Sequence, residues 1–190
     1  MKEPLECREI LEDFPSVRRQ KILNAKQKQK RQQSMGATLL LERVLAWHGS
    51  AIDMLETDEN GKPKVKGLCF NLSHSGDYVI CAVSKMQVGC DIEQIRPVEK
   101  RLEERVLSVE ERRGINGLSG EAYDREFLRI WTKKESFLKM KGIGLRVPLD
   151  TLEIKDCYMK EYDMTGYQVT VCAEENEFAE LAMVTLDTNR

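Results

Sequence analysis

The sequence predicts an α+β fold in which each half of the chain combines a helix with a small antiparallel sheet. Three patterns predict this arrangement: helical spacing of apolar residues in 16–48 and 122–141, strand-like segments within 68–93, and a β-rich tail after residue 147. The chain has 190 residues, 41% of them hydrophobic and 33% charged, which is typical of a globular protein with a sizeable core.

The N-terminal half begins with a helical region and continues into strands. Ser16 is a candidate N-cap, a polar stretch allows two helices within 16–48, and Gly49 is the expected stop. The turn-rich loop 59–67 precedes three strand patterns, at 68–72, 78–84 and 88–93. Because only residues 85–87 join the last two strands, we expect them to form a hairpin.

The C-terminal half contains a charged helical stretch, a glycine-containing loop near 114–120 and a long helix over 122–141 that stops at Gly142. The tail predicts three or more antiparallel strands. We place the boundary between the halves at Pro97, which gives an N-terminal lobe of residues 1–97 and a C-terminal lobe of residues 98–190.

The formal net charge of −2 predicts no global attraction to nucleic acid or membrane. The charge is uneven, however, because no acidic residue lies between Asp13 and Glu42. This segment carries Arg18, Arg19, Lys21, Lys26, Lys28, Lys30 and Arg31. Such a run indicates either a site for a compact anion or a solvated helix face.

Six cysteines show no zinc-site spacing, and the sequence has no signal-peptide pattern and no long apolar run. We therefore expect a reduced, cytoplasmic protein without a membrane partner.

Two carboxylates of the segment VGCDIE point to a cation site. Strand alternation sends Val88, Cys90 and Ile92 to one face and Asp91 and Glu93 to the other. The pair can converge on one hard cation, or the strand can lie at a sheet edge with a solvated polar face.

Glu135 offers a third carboxylate, since it lies on the apolar stripe of the helix EFLRIWTKKESFLKMKG. The alternative is a surface ion pair with Lys139, four residues later. Three oxygen donors suit Mg²⁺, which takes its remaining ligands from waters and substrate phosphates, and Lys134 and Lys139 would then face those phosphates.

His74 lies in the turn NLSHSG, where hydroxyl, imidazole and backbone N–H groups can bind a phosphate. One alternative is a turn histidine whose hydrogen bonds are satisfied locally. A Ser-His-Asp hydrolase is a weaker alternative, because no G-x-S-x-G elbow accompanies His74. Glu111 completes an S-x-x-E capping box with Ser108, yet it could also act as a general base.

Four segments carry a family resemblance: GKP at 61–63, FNLSHSGDYVICAV at 70–83, VGCDIEQIRP at 88–97 and WTKKESFLKMKGIGL at 131–145. In this order and spacing, the chain resembles a 4'-phosphopantetheinyl transferase of the surfactin-synthetase-activating type. The resemblance implies transfer of 4'-phosphopantetheine from coenzyme A to a serine of an apo carrier protein, acyl, peptidyl or polyketide. The by-product would be adenosine 3',5'-bisphosphate.

The resemblance also implies roles for individual residues. Asp91, Glu93 and Glu135 would hold Mg²⁺, with Mn²⁺ as an alternative. The residues implied to contact coenzyme A are Arg18, Lys21, Ser34, Lys62, Ser73, His74, Lys134 and Lys139. Glu111, Glu135 and Lys139 would take part in catalysis, with Glu111 or a metal-bound water as the base. Gln33 stands where the family commonly has an arginine.

The family fold implies two similar lobes, each a small antiparallel sheet packed with a long helix, related by a pseudo-twofold axis in a monomer. A catalytically inactive coenzyme A- or nucleotide-binding protein of the same fold is the first alternative. The second alternative is a nucleic-acid-binding module, which the basic run suggests. The net charge does not favour it, and the sequence offers no aromatic platform that would support it.

Overall fold

A computed structural model describes residues 11–12, 14–57 and 63–186, without the side chains of residues 17, 21 and 145. In these ranges five α-helices pack against three small antiparallel sheets, which confirms the predicted α+β class. None of the helices in the described ranges has both the length and the apolar character needed to cross a membrane.

The predicted helical region 16–48 consists of two helices, α1 (Ser16–Asn24) and α2 (Lys28–Trp47). The N-cap of α1 is Pro15, so the prediction that Ser16 caps this helix was wrong by one residue. The second half of α2 is apolar, and Leu41 and Leu45 are fully buried in a cluster with Phe70. This packing anchors α2 on the neighbouring strands, which leaves its polar first half exposed.

The strands form three sheets. Two short strands, β1 (Glu56–Thr57) and β2 (Pro63–Lys64), pair with each other. Next, β3 (Cys69–Ser75) and β4 (Tyr78–Ser84) form an antiparallel hairpin. The third sheet contains β5 (Val88–Gln94), β6 (Tyr158–Met164) and β7 (Tyr167–Ala173), with β7 in the middle.

The predicted hairpin between β4 and β5 was therefore wrong, since β4 pairs with β3 and β5 pairs with β7. Residues 88–92 of β5 are buried on both faces, so this strand needs cover on both sides that a two-stranded hairpin cannot supply. The lobe boundary at Pro97 stays a prediction, although β5 precedes it and joins a sheet with strands that follow it.

Hydrogen bonds to the side chains of β3 connect it to β5, with which it does not pair as a strand. The Asn71 Oδ1 atom accepts a hydrogen bond from the Cys90 N–H at 2.9 Å, and Ser75 Oγ accepts one from the Gln94 N–H at 3.0 Å. These bonds satisfy two backbone N–H groups of β5 on the edge that does not pair with β7.

Three helices follow β5: α3 (Glu103–Val106), α4 (Val109–Ile115) and α5 (Gly120–Lys141). As predicted, α5 stops at Gly142, whose φ of 70° lies in the left-handed region that glycine favours. A Cβ at Gly89 would overlap the Ser136 carbonyl and the Met140 amide, so β5 and α5 touch backbone to backbone. This close contact brings the polar groups of β5 next to those of α5.

The tail contains two strands among the described residues, β6 and β7, rather than the three or more that were predicted. Residues 174–186 form no further helix or strand, and Tyr162 Oη donates a hydrogen bond to the Ala179 carbonyl in this segment at 2.8 Å. Leu186 packs against the apolar cluster that includes Ile22 of α1.

Candidate functional site

A cavity of about 350 Å³ lies between α1, α2, β3, β5 and α5. Its lining includes eight of the residues predicted from the sequence: Arg18, Ser34, Ser73, His74, Asp91, Glu93, Glu135 and Lys139. They come from five separate elements, and the pairing of β5 with β7 and the packing of α5 on β5 bring them together.

Asp91 lies at the centre of the polar wall and is only 3% exposed. Its Oδ1 atom accepts hydrogen bonds from Ser73 Oγ at 2.7 Å and from Lys139 Nζ at 2.6 Å. Its Oδ2 atom is buried and has no hydrogen-bond partner in the described part of the chain. A buried carboxylate oxygen without a protein partner is costly, so this atom points to a missing ligand.

Lys139 of α5 connects this helix to β3 and β5 at the cavity. Besides Asp91, its Nζ donates to Ser73 Oγ at 2.9 Å and to the Cys90 carbonyl at 3.2 Å. Burial lowers the pKa of Lys139, but the charge and hydrogen bond of Asp91 outweigh this effect and raise the pKa above its ordinary value. Lys139 is therefore a firmly held cation at the cavity wall.

The two glutamates repel both Asp91 and each other. Burial raises the pKa of Glu93, Asp91 raises it further, and a 2.9 Å hydrogen bond from Ser75 Oγ opposes the shift. Burial raises the pKa of Glu135 to about 7, again with a contribution from Asp91, and its Oε1 atom is buried without a partner in the described residues. Lys139 acts on both glutamates and Arg96 acts on Glu93, yet the pKa of each glutamate stays above its ordinary value, so the three crowded acids favour a further cation.

The donor set fits Mg²⁺ in its chemistry. Carboxylate oxygens are the ligands that Mg²⁺ prefers, and two of them, Asp91 Oδ2 and Glu135 Oε1, have no hydrogen-bond partner in the part of the chain that the structure describes. The arrangement of the side chains is not yet that of a metal site, however. In residues 11–12, 14–57 and 63–186, no group of three or more His, Cys, Asp or Glu side chains is arranged to hold a metal ion.

The same cavity is also lined by residues predicted to bind anions. Arg18 of α1 lines the cavity, and its Nη2 atom is buried with no hydrogen-bond partner among the described residues. Burial lowers the pKa of Arg18. Ser34 and His74 line the same cavity, and a guanidinium N–H without a protein acceptor beside them suits a phosphate.

Two residues that the resemblance implies as contacts of coenzyme A cannot be placed among the described side chains. Lys62 is not among the described residues, and the side chain of Lys21 is not described. Their implied contacts to coenzyme A stay predictions.

Lys134 and Glu111 lie elsewhere. The Lys134 side chain is 1% exposed, and its Nζ donates to the Val106 carbonyl at 2.7 Å, the Leu149 carbonyl at 2.8 Å and Glu111 Oε2 at 2.5 Å. An ammonium has three N–H donors, so this arrangement leaves none for a phosphate. Lys134 is not among the residues that line the cavity.

The capping box at Ser108 is present, because Glu111 Oε2 accepts from the Ser108 N–H at 2.6 Å and Ser108 Oγ accepts from the Glu111 N–H at 3.2 Å. Glu111 lines a second cavity of about 300 Å³, formed with residues of α5 such as Arg129 and Lys133. The structure therefore places Glu111 apart from the three acids.

The sequence analysis did not single out Ser75 or Trp131 as site residues. Ser75 binds Glu93, and Trp131 lines the cavity with Ile22 and Leu72. The signal for Ser75 was available, since strand alternation places it on the same face of β3 as Ser73.

Comparisons with known proteins give the family context. A family model described as the 4'-phosphopantetheinyl transferase superfamily matches residues 87–182, which include β5, α5 and both strands of the tail. This range contains the three acids and Lys139.

Several curated proteins are similar to the chain. The 4'-phosphopantetheinyl transferase Sfp of Bacillus subtilis (strain 168) is 33% identical over 144 residues, covering 65% of this chain and 64% of Sfp. The 4'-phosphopantetheinyl transferase psf-1 of Bacillus pumilus is 34% identical over 147 residues, covering 67% and 63%. The 4'-phosphopantetheinyl transferase AcpT of Salmonella typhi is 31% identical over 172 residues, covering 78% and 88%. The chain thus matches just under two thirds of the length of Sfp and psf-1.

Proposed function

The chain belongs to the 4'-phosphopantetheinyl transferase superfamily, and we propose that it transfers 4'-phosphopantetheine from coenzyme A to a serine of an apo carrier protein. Adenosine 3',5'-bisphosphate is the leaving product. The observation that carries the proposal is that Asp91, Glu135 and Arg18 line one cavity, and that each has a buried side-chain atom without a hydrogen-bond partner in the described part of the chain. Carboxylate oxygens and a guanidinium N–H group in one cavity match a metal-bridged phosphate compound.

The reaction is a phosphoryl transfer, in which the serine Oγ attacks the β-phosphorus of coenzyme A. The bond from serine oxygen to phosphorus forms, the bond from that phosphorus to the oxygen of the bisphosphate breaks, and the serine proton passes to a base. Enzymes catalyse such transfers mainly by positioning the groups and stabilising charge.

The residues divide these tasks. Asp91, Glu93 and Glu135 are the candidate ligands of Mg²⁺, which when bound would neutralise charge on the pyrophosphate oxygens. Lys139 lies beside Asp91 and supplies a fixed cation on the same wall. Arg18, with Ser34 and His74 nearby in the cavity, supplies donors for a further phosphate of coenzyme A.

Glu111 keeps its predicted role as a candidate general base, although its Oε2 atom already accepts from Lys134 and from the Ser108 N–H. A metal-bound water is the alternative base, and the pH profile of transfer by a Glu111→Gln variant distinguishes the two.

We further propose a monomer in a reducing, cytoplasmic environment. The described cysteines, Cys69, Cys81, Cys90, Cys157 and Cys172, are all free thiols. Light scattering at micromolar concentration tests the monomer.

The direct test incubates the protein with coenzyme A, Mg²⁺ and an apo carrier protein and measures the intact mass of the carrier. We expect a gain of one phosphopantetheine group, which disappears with EDTA and in the Asp91→Ala and Glu135→Ala variants. The inactive binding-protein alternative predicts coenzyme A binding without a mass gain. Full turnover in either variant would refute the metal assignment.

A further inference from the structure

The turn formed by residues 75–77 connects β3 to β4 and lies next to the proposed coenzyme A site. It follows Ser73 and His74, which line the cavity, and Ser75 Oγ donates to Glu93 at 2.9 Å. A shift of this turn would therefore move cavity-lining groups of both β3 and β5.

Helix α2 holds the turn from one side. The Gln33 Nε2 atom donates a hydrogen bond to the Gly76 carbonyl at 2.9 Å, across 43 positions of sequence. Gln33 does not line the cavity, whereas its neighbour Ser34 does. Successive helix residues differ by about 100° in direction, so one turn of α2 contacts both the cavity and the 75–77 turn.

The third sheet confines the turn from the other side. The Asp77 N–H donates to Tyr167 Oη at 3.3 Å, and Ser75 Oγ accepts from the Gln94 N–H at 3.0 Å. A Cβ at Gly76 would overlap Tyr167 Oη and come within 2.8 Å of Gln94 Oε1. Gly76 also has a φ of 54°, so both its conformation and its surroundings favour glycine.

We infer that Gln33 is a positioning residue for coenzyme A: through the Gly76 carbonyl it holds the 75–77 turn, and with it His74 and Ser75, in register with Ser34 of α2. This inference rests on the proposed function, because coenzyme A is the ligand assigned to the cavity. Gln33 itself is not proposed to contact substrate, because its side-chain amide donates a hydrogen bond to the main-chain carbonyl of Gly76.

The test measures binding of coenzyme A and of adenosine 3',5'-bisphosphate to the full chain by isothermal titration calorimetry. Gln33→Met keeps the length of the side chain and removes the donor. Loss of one neutral hydrogen bond corresponds to an increase of about two- to tenfold in the dissociation constant. In the transfer assay the KM for coenzyme A should rise by a similar factor, and kcat at saturating coenzyme A should change by less than about twofold.

Gln29→Met is the matched control, because Gln29 is an exposed glutamine of the same helix. It should leave the dissociation constant and the KM unchanged. Tyr167→Phe, which removes the acceptor on the opposite side of the turn, should weaken coenzyme A binding as Gln33→Met does.

The inference is overturned if Gln33→Met binds coenzyme A as tightly as the unmodified protein, if Gln29→Met loses as much affinity, or if kcat falls while KM stays constant. Failure of the proposed function looks different, since the unmodified protein would then bind no coenzyme A or would bind it without modifying a carrier.

Discussion

Lys134 and Lys139 lie five residues apart on α5, yet their surroundings are opposite in kind. The Nζ atom of Lys134 is surrounded by two backbone carbonyls and Glu111, within a side chain that is 1% exposed. Lys139 is 27% exposed at the cavity wall and pairs with Asp91. Five helical residues correspond to a rotation of about 140°, so the two side chains leave the helix on different faces.

The difference lies in how completely each charge is compensated. Every donor of Lys134 has a protein acceptor, which is the mark of a structural buried cation. Beside Lys139, in contrast, Asp91 Oδ2 and Glu135 Oε1 have no partner in the described residues. Such buried polar atoms mark this face of α5 as the proposed ligand-binding face.

The largest expected effect is on stability, from Lys134→Met. This change removes the partner of two buried carbonyls and of Glu111, and we expect a loss of about 3–5 kcal/mol in the free energy of unfolding. Urea denaturation measures it. A Lys134→Met protein that is as stable as the unmodified one but inactive would show that Lys134 acts in chemistry instead.

Lys139→Met should have the complementary effect, on activity. Loss of a fixed cation from the cavity wall should lower kcat/KM for carrier modification by about 10²–10³-fold. The loss of stability should be smaller than for Lys134→Met, because Lys139 is partly exposed and Asp91 keeps its bond from Ser73. Equal losses of stability in the two variants would contradict the division between the faces.

Gly89→Ala tests whether the proposed ligand-binding face of α5 must lie directly on β5. The added methyl group would overlap the backbone of α5 at Ser136 and Met140, and overpacking of this kind costs about 1–3 kcal/mol. Activity should fall as well, since Glu135 and Lys139 would move away from Asp91.

Gly114→Ala is the control for that variant, because a Cβ there meets nothing within 4 Å and the residue lies inside α4. It should stabilise the protein by about 0.5–1 kcal/mol. Thermal unfolding of both variants, alongside the transfer assay, makes the comparison.

The pH dependence of stability in the metal-free protein gives a further test. The pKa of Glu135 rises from 4.5 to about 7 on folding, chiefly because the side chain is buried. Its contribution to stability is therefore fully present below pH 4.5 and is lost as the pH rises through 7. In EDTA, Glu135→Gln should show a shallower fall of unfolding free energy between these values, measured by urea titration at several pH values. An unchanged slope would contradict the buried, charge-crowded state of Glu135.

Local patterns in the sequence were sufficient for several features. The extent of α5, its stop at Gly142 and the capping box at Ser108 were predicted correctly, because each depends on residues within one or two turns of helix. The resemblance also pointed to the family, and eight implied site residues lie around one cavity.

The errors involve contacts between distant segments. The short link at 85–87 suggested a hairpin, but β5 pairs with β7, about 80 residues later in the chain. Strand pairing depends on which buried faces must be covered, and a linker of three residues does not reveal that.

The sequence by itself determined which carboxylates, lysines and turn residues this protein has, and on which face of its own strand or helix each one lies. The tertiary structure decided which faces meet: α5 approaches β5 at Gly89 and brings Glu135 and Lys139 to Asp91, while Lys134 is directed to Glu111 and two carbonyls. The reason is that periodicity is a local property of the backbone, whereas the satisfaction of a buried charge depends on groups supplied by distant parts of the chain.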